Sequence, residues 1–305
     1  MTVFSEFDYP SKGAGTIHAC RWATGGEPIA VVQLVHGIAE HTLRYDDFAR
    51  YLNENGFLVT AEDHMGHGKS RGSGAPLYFA GGWEAAVEDT YALLCRTRGE
   101  FPDIPYFIFG HSMGSFLTRT LLYRHPEAPL SGAVICGTGW QPTVKLDAGK
   151  ALCEAEKLRV GEKKPSALLT RLMFGGYNKK FGEPRTPNDW ICARRETVDA
   201  YTADPLCGGD ATVGLTAAML HGISMNQKQE NLEKMPKELP VFFIAGKNDP
   251  VGDMGRGVER TARAFQRAGM RHVSLRLYEG RHEILNEENH AEVYNDVRKF
   301  LVKHT

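Results

Sequence analysis

The stretch YFIFGHSMGSFLTRTLLYR occupies residues 106–124 and contains the features that decide the fold. Its first four residues form a continuous apolar run, which is typical of a strand buried on both faces. A helical pattern begins at Ser112, and between the two lies Gly110-His111-Ser112-Met113-Gly114, a G-x-S-x-G motif. A serine at a sharp turn from strand to helix needs small neighbours, and the two glycines provide the room. The sequence therefore predicts that the Ser112 hydroxyl is exposed above a sheet, near the positive end of a helix.

The rest of the chain repeats this alternation of strand and helix. Further apolar runs rich in β-branched and aromatic residues predict strands at 29–34, 57–61, 133–136, 241–245 and 273–277. Helical patterns lie between or after them, at 45–53, 83–98, 258–268 and 291–302. Because the apolar runs are continuous, we expect every one of these strands to be buried on both faces. The predicted fold class is α/β, with a mostly parallel central sheet and helices on both faces.

One region interrupts the alternation. From about Gly139 to Asp210 the sequence has no convincing strand pattern and is crowded with charged residues, glycine and proline. Apolar residues persist within it, particularly between Leu168 and Phe174. We therefore expect a folded helical cap rather than a disordered linker. The predicted division is a core of residues 1–138 and 211–305 with a cap of residues 139–210.

Composition and charge exclude several classes of function. The chain has 42% hydrophobic and 24% charged residues and a net charge of -1, without long runs of one sign, so nucleic acid is not an expected partner. Residues 1–10 lack a basic region followed by an apolar run, which argues against a secretory signal, and no apolar stretch is long enough to span a bilayer. The six cysteines form no C-x-x-C pair. Reduced thiols in the cytoplasm are the expected state.

A serine nucleophile needs a base, and the base needs an orienting carboxylate. When the serine lies at such a turn from strand to helix, the acid and the histidine both follow it along the chain, in that order. Asp249 follows the predicted strand at 241–245, and His282 follows the strand at 273–277. Both positions place a side chain at the carboxyl edge of the sheet. We therefore predict Ser112 as nucleophile, His282 as base and Asp249 as the orienting acid. The alternatives are a turn role for Asp249, with Asp253 as rival acid, and an exposed loop position for His282.

Acyl transfer also requires donors for the oxyanion that forms at the substrate carbonyl. The backbone N–H of Met113 qualifies because it follows the nucleophile at a helix N-terminus. The backbone N–H of Ile38 qualifies because it lies in the loop His36-Gly37-Ile38-Ala39-Glu40-His41, directly after the predicted strand at 29–34.

Metal and nucleotide sites are not expected. The chain has twelve histidines, and His36 with His41 or His64 with His67 could form ligand pairs, but no H-E-x-x-H or cysteine-assisted spacing accompanies them. The glycines Gly13 and Gly15 neither follow a strand nor begin a helix, as a dinucleotide site would require.

The motifs taken together resemble one known family. They are residues 36–41 with Arg44-Tyr45, residues 63–70 (DHMGHGKS), residues 110–114, and the positions of Asp249 and His282; Asp204-Pro205-Leu206 adds a weaker match. The chain resembles the monoacylglycerol lipase and lysophospholipase branch of the α/β-hydrolases, of the serine aminopeptidase S33 type. The resemblance implies a cap over the active site, no cofactor, and activity on carboxylic esters with one acyl chain. Two positions depart from the pattern: Ala39 and Ser115 stand where the family usually has glycine.

The predicted reaction is a two-step acyl transfer through a covalent acyl-enzyme on Ser112. Leu215, Met219, Ile223 and Met225 are predicted to line an acyl tunnel, with ordinary helix packing as the alternative. A peptidase or amidase with the same triad would use acidic groups in the cap, for which Glu154, Glu156, Glu162, Glu183 and Glu196 are available. A binding protein that has lost the chemistry is the third possibility. The cap is also a candidate for transient contact with a membrane surface, and oligomeric state is left open.

Overall fold

The computed structural model describes residues 2–72 and 75–305. An eight-stranded sheet forms its centre, with the strand order β1-β2-β4-β3-β5-β6-β7-β8. The bounds of the strands are β1 Val3–Pro10, β2 Thr16–Ala23, β3 Ala30–Val35, β4 Phe57–Glu62, β5 Tyr106–His111, β6 Gly132–Cys136, β7 Val241–Gly246 and β8 Val273–Tyr278. Strands β3 to β8 pair in parallel, whereas β1 with β2 and β2 with β4 pair antiparallel. The predicted α/β class with a mostly parallel sheet is confirmed.

Helices cover both faces of this sheet. Their bounds are α1 Asp46–Glu54, α2 Gly82–Glu100, α3 Met113–Arg124, α4 Thr143–Val160, α5 Ala167–Phe174, α6 Arg195–Ala203, α7 Val213–Met225, α8 Gln229–Leu232, α9 Arg256–Arg267 and α10 His290–Lys303. Phe48 of α1 and Val297 of α10 belong to the core on one face, together with Phe107 of β5. Leu117 of α3 belongs to the core on the other face, together with Ile108 of β5. Successive residues of β5 therefore point into two separate cores, which is why its sequence is continuously apolar.

The prediction of continuous burial holds for five of the six strands and is wrong for β8. Every residue of β3, β4, β5, β6 and β7 is buried. In β8, Ser274 and Arg276 are exposed, because β8 is the last strand of the sheet and pairs only with β7. An edge strand keeps the alternation of exposed and covered residues that its interior neighbours lose.

Strands β1 and β2 were not predicted from the sequence. They form a regular antiparallel hairpin from Val3↔Ala23 to Pro10↔Thr16 at the other edge of the sheet. Strand β1 is almost wholly exposed, with only Tyr9 buried, so its sequence contains no apolar run of the kind that marks an interior strand.

Between β6 and β7 the chain forms helices α4 to α8 and two short 3₁₀ turns, Tyr177–Lys180 and Asp189–Ile191. Cys153 of α4 and Leu169 of α5 form a small local core with Val213 of α7. Ile191, Cys192 and Val198 form another. This segment is folded and helical, and the division of the chain at residues 138/139 and 210/211 remains a prediction. No helix within residues 2–72 and 75–305 is long and apolar enough to cross a membrane.

Helix α7 reaches the sheet layer through a close contact with α2. A Cβ atom at Gly222 would lie 2.1 Å from the Trp83 side chain, so only a residue without a side chain allows this approach. Trp83 is itself fully buried, and its indole N–H donates to Thr120 Oγ1 at 3.0 Å. The indole is therefore held in place and cannot move aside.

We predict that Gly222→Ala destabilises the protein by about 1–3 kcal/mol, because the added methyl overpacks a fixed contact. Gly99→Ala is the matched control, since Gly99 lies in α2 with open space around its Cβ position. This control should raise stability by about 0.5–1 kcal/mol through helix propensity. Thermal and denaturant unfolding measure both changes, and equal effects of the two substitutions would contradict the packing argument.

Candidate active site

Ser112 stands at a strained turn between β5 and α3. Its backbone has φ 52° and ψ -120°, in the region that side-chain-bearing residues rarely adopt. The N–H of Ser112 donates to the Cys136 carbonyl at 3.0 Å, and its carbonyl accepts the Ser115 hydroxyl at 2.6 Å. Ser115, one of the two departures from the family pattern, therefore adds a hydrogen bond to this turn.

Both glycines of the motif are required by close backbone approaches. A Cβ atom at Gly114 would lie 2.0 Å from the Val35 carbonyl oxygen, where α3 meets the end of β3. A Cβ atom at Gly110 would lie 2.5 Å from the Gly114 carbonyl oxygen. Any larger residue would move Ser112 away from the sheet edge.

Asp249 is fully buried at the end of β7 and faces His282. Its Oδ1 lies 3.0 Å from His282 Nδ1 and accepts the Val251 N–H at 2.9 Å. Asp253, the rival acid, is exposed and pairs with Arg256 at 2.9 Å. The structure thus places Asp249, rather than Asp253, beside the histidine.

The loops that carry Asp249 and His282 are joined along their backbones. The N–H of Asn248 donates to the Gly280 carbonyl at 3.0 Å. A Cβ atom at Gly246 would lie only 1.9 Å from the Arg281 carbonyl oxygen, so a glycine is needed for the two loops to approach. This approach brings Asp249 and His282 into contact.

His282 is 3% exposed, and its ring is packed between two aromatic rings. The ring centroid of His111 lies at 4.7 Å and that of Trp190 at 5.1 Å. Within the described residues, neither ring nitrogen of His282 makes a well-aligned hydrogen bond: Nδ1 lies 3.0 Å from Asp249 Oδ1, and Ser112 is not bonded to Nε2. His111 contacts both parts of the site, since it directly precedes Ser112 in the chain and its ring packs against the His282 ring. In a substrate-free site such catalytic hydrogen bonds are commonly long and shorten when substrate binds.

Two opposing effects set the pKa of His282. Burial alone lowers the pKa, but the Asp249 carboxylate, with smaller contributions from Glu283 and Glu40, outweighs burial and raises the pKa above its ordinary value. Neighbouring His111 has no such partner, and burial together with the charge of His282 lowers its pKa to about 3. The site therefore favours a positive charge on His282 and keeps His111 neutral.

The predicted oxyanion loop passes directly beside Ser112. A Cβ atom at Gly37 would lie 3.0 Å from Ser112 Cβ. Among the described residues, the Ile38 N–H donates no hydrogen bond. Met113 is the first residue of α3, where the N–H has no acceptor within the helix. Ala39 has φ 57°, the left-handed conformation that glycine adopts at no cost, so the glycine that the predicted resemblance implies at this position would fit without strain.

A group of charged residues lies behind these loops, and its burial was not predicted from the sequence. Glu283, which the sequence allows to be a surface charge, is buried and accepts a two-pronged hydrogen bond from Arg44 at 2.7 Å for each contact. Glu40 accepts the Gly37 N–H at 2.6 Å and an Arg44 N–H at 2.7 Å. Glu40 and Arg44 belong to the motifs quoted above, and Glu283 directly follows His282. Their joint burial had no sequence signal, because burial of a charge depends on partners far along the chain.

The four residues predicted to line an acyl tunnel separate in the structure. Ile223 lines a cavity of ≈ 780 Å³ between the sheet layer and the insertion. Leu215 and Met219 are buried in the main core, and Met225 packs against that core. The apolar lining of the cavity consists mainly of Trp140, Leu146, Leu152, Leu169, Leu172, Met173, Leu220 and Ile223. Lys145, Arg256, Arg260 and Asp253 are the charged lining residues.

The histidines considered as metal ligands make other contacts. His36 Nε2 accepts the His64 N–H at 3.0 Å, and the two rings lie 4.1 Å apart. His41 Nε2 lies 2.9 Å from Asp204 Oδ2, and Cys207 completes a group whose possible ligand atoms lie within 4.8 Å of one another. Burial raises the pKa of the Cys207 thiol well above its ordinary value, so the thiol is protonated. We assign no metal to this group and treat it as a hydrogen-bonded tie between two loops.

Several known proteins are similar to this chain in sequence and in structure. Residues 26–289 match the family described as serine aminopeptidase, S33. The monoacylglycerol lipase of Mycolicibacterium smegmatis is 28% identical, over 98% of each chain. The monoglyceride lipase of Mus musculus is 26% identical, over 91% of this chain and 83% of its own. A thermostable carboxyl esterase from Bacillus coagulans, solved in complex with glycerol, has a TM-score of 0.91 and 29% identity over 99% of each chain.

We predict that Glu283→Gln moves the acid limb of the pH dependence of kcat/KM to lower pH. The Glu283 charge helps to raise the pKa of His282, and His282 must be neutral to act as base, so losing that charge lets His282 lose its proton at lower pH. Glu279→Gln is the control, because Glu279 is exposed and pairs with Lys247. An acid limb that is unchanged, or that moves to higher pH, in Glu283→Gln would refute this assignment.

Proposed function

This chain belongs to the serine aminopeptidase S33 family, and we propose that it is a monoacylglycerol lipase-like enzyme that hydrolyses carboxylic esters with Ser112 as its nucleophile. The predicted resemblance is confirmed by the family match and by relatives that are monoacylglycerol lipases. The predicted α/β-hydrolase fold is confirmed by esterase and lipase structures with TM-scores of 0.91 and 0.89. The substrate class is a small-molecule ester.

The observation that carries the proposed mechanism is the buried pair of His282 and Asp249, 3.0 Å apart, next to the strained turn at Ser112. His282 Nε2 takes the proton of Ser112 as Oγ attacks the ester carbonyl, and Asp249 holds the imidazole and stabilises its positive charge. The N–H groups of Ile38 and Met113 stabilise the oxyanion. His282 then protonates the departing alcohol, and an acyl-enzyme remains. Water attacks that acyl group with His282 again as base, His282 returns the proton to Ser112 Oγ as the acyl C–O bond breaks, and the carboxylic acid leaves.

The cavity next to the insertion supports an acyl substrate. Its volume of ≈ 780 Å³ lies within the usual range for ligand sites, and most of its lining is apolar. Pro250, adjacent to Asp249, lines the same cavity, which supports a position of the cavity near the proposed triad. We assign Ile223 to the acyl-binding surface, while Leu215, Met219 and Met225 support it from the core.

The charges around the cavity favour an ester over a peptide with a free N-terminus. Three of its four charged lining residues are cationic, whereas an aminopeptidase needs acidic groups for the substrate ammonium. The Glu156 carboxylate accepts a hydrogen bond from Arg159. The Glu162 carboxylate accepts one from the Tyr78 hydroxyl and forms an ion pair with Lys157. Glu154 and Glu162 border a separate surface groove. None of the five cap glutamates, which are Glu154, Glu156, Glu162, Glu183 and Glu196, lines the acyl cavity, so they give no support to the peptidase alternative.

We predict that Ser112→Ala lowers ester hydrolysis by at least about 10⁴-fold and abolishes labelling by a fluorophosphonate probe, because the acyl-enzyme can no longer form. The assay compares monoacylglycerols, short-chain nitrophenyl esters and aminoacyl anilides. We expect turnover of the esters and none of the anilides. Ser115→Ala is the control and should retain labelling, since Ser115 contributes only a hydrogen bond to the turn.

Activity on the anilides alone would overturn the ester assignment in favour of a peptidase. A folded protein in which the probe does not label Ser112 would show a binding protein without chemistry.

We also propose that the enzyme is cytoplasmic and that its insertion contacts a membrane surface. The six cysteines, all within the described residues, are unpaired, which supports a reducing cytoplasmic location.

The insertion exposes large apolar side chains, among them Leu158 at 91% and Leu172 at 63% exposure. Leu172 also lines the acyl cavity, so a membrane surface in contact with it would lie next to the site that takes the lipid chain.

We predict that Leu158→Asp with Leu172→Asp reduces binding to phosphatidylcholine–phosphatidylserine vesicles at least about tenfold, because each buried leucine contributes about 1.5–3 kcal/mol. Sedimentation with the vesicles measures the bound fraction. Val302→Asp, at an exposed position of α10, should leave binding unchanged. Equal loss in both proteins, or no loss in either, would remove the insertion as the contact surface.

A further inference from the structure

A buried arginine joins the oxyanion loop to the histidine loop. Arg44 Nη1 donates to Glu40 Oε2 and to Glu283 Oε1, each at 2.7 Å, and Nη2 donates to Glu283 Oε2 at 2.7 Å. The side chains of Arg44, Glu40 and Glu283 are 11%, 5% and 7% exposed. One guanidinium therefore holds two carboxylates that come from different ends of the chain.

Each carboxylate also lies next to one of the proposed catalytic groups. Glu40 Oε1 accepts the N–H of Gly37 at 2.6 Å, and Gly37 directly precedes Ile38, the proposed oxyanion donor. Glu283 directly follows His282, and its Oε2 accepts the Asn286 side-chain N–H at 2.9 Å. A displacement of Arg44 would thus move the oxyanion donor and the base relative to each other.

The geometry of this cluster fits an arginine and no other cation. A guanidinium presents its donors in a planar fork that can bind one carboxylate with two bonds while it reaches a second. The Tyr201 ring covers the guanidinium at 4.8 Å, and the Tyr201 hydroxyl donates to the Ala39 carbonyl at 2.9 Å. A lysine could keep the charge, but it could not reproduce the fork or the stacking.

We propose that Arg44 is a positioning residue for ester hydrolysis, which sets the oxyanion donor Ile38 and the base His282 at a fixed separation around Ser112. The inference rests on the proposed function. Arg44 is largely buried and does not line the acyl cavity, so we expect its loss to lower kcat more than it changes KM.

The first test measures kcat and KM of Arg44→Met and Arg44→Lys with a short-chain nitrophenyl ester, per active site titrated by a fluorophosphonate. We expect kcat of Arg44→Met to fall about 100-fold with KM within about twofold, since misplacement of about 1 Å has an effect of that size. Arg44→Lys should recover about tenfold of the lost kcat because it restores the charge. Arg50→Met is the matched control: Arg50 also pairs with a carboxylate, Asp46 at 2.7 Å, but it is exposed and makes no bond to Glu40 or Glu283. Its kcat should be unchanged.

The second test separates positioning from stability with the double variant Arg44→Met/Glu283→Gln. Arg44→Met leaves two buried carboxylates unpaired, which lowers Tm. Removing one of those charges should raise Tm toward the wild-type value, while kcat stays low because the tie between the loops is still absent. If kcat recovers together with Tm, or if Arg44→Met has wild-type kcat per titrated site, the proposal is wrong.

The rate of Ser112 labelling by the fluorophosphonate keeps this proposal distinct from the proposed function. Labelling uses the same base and the same oxyanion donors but needs no ester substrate. A wild-type protein that labels rapidly but hydrolyses no ester would refute the ester assignment, and slower labelling of Arg44→Met would still support the positioning role. Equal labelling rates in the two proteins would refute that role.

Discussion

The contact between the buried Asp249 carboxylate and the His282 imidazole is the interaction on which the remainder of the site depends. A carboxylate removed from water is unfavourable unless a charged or hydrogen-bonding partner compensates for the lost solvation. Asp249 Oδ1 has the His282 ring and the Val251 N–H, whereas its Oδ2 has no partner among the described residues. The compensation is therefore incomplete while His282 is neutral, and it improves when His282 becomes positively charged. A site built in this way favours the protonated His282 that the proposed acyl transfer would create.

This contact exists because the backbone of several loops approaches closely at one edge of the sheet. Parallel strands end at the same edge of the sheet, so the segments after β3, β5, β7 and β8 all begin at that edge. Parallel alignment alone brings such loops only near one another. The remaining distance is closed at positions where a Cβ atom would collide with a neighbouring carbonyl, such as Gly114 against Val35 and Gly246 against Arg281. The glycines in these loops thus determine the separations between the reacting groups.

The sequence was sufficient for the parts of the molecule whose signals are local. Ser112, Asp249 and His282 each follow an apolar run, and such a run needs no distant partner to be recognised. The hairpin β1–β2 was missed because an exposed edge strand carries polar residues, and β8 was assigned too much burial for the same reason. Glu283 could not be predicted as buried, because its partner Arg44 lies 239 residues away in the chain. Similarly, the residues of α7 face both the core and the cavity, and their helical pattern does not distinguish the two.

The insertion consists of two parts that contact the rest of the protein in different ways. Its later part is tied to the catalytic loops: Tyr201 and Gly208 both donate to the Ala39 carbonyl, and Glu283 donates its N–H to the Ile191 carbonyl at 2.7 Å. Arg281 also donates to the Cys192 carbonyl at 3.3 Å. Its earlier part, α4 and α5, packs instead on α7 and forms one wall of the apolar cavity. A movement of the later part would disturb the oxyanion loop and His282. The earlier part also reaches His282, because the Phe174 ring of α5 stacks on Trp190 at 6.4 Å and the Trp190 ring lies 5.1 Å from that of His282. The wall of the cavity and the surroundings of His282 are therefore connected through the Trp190 ring.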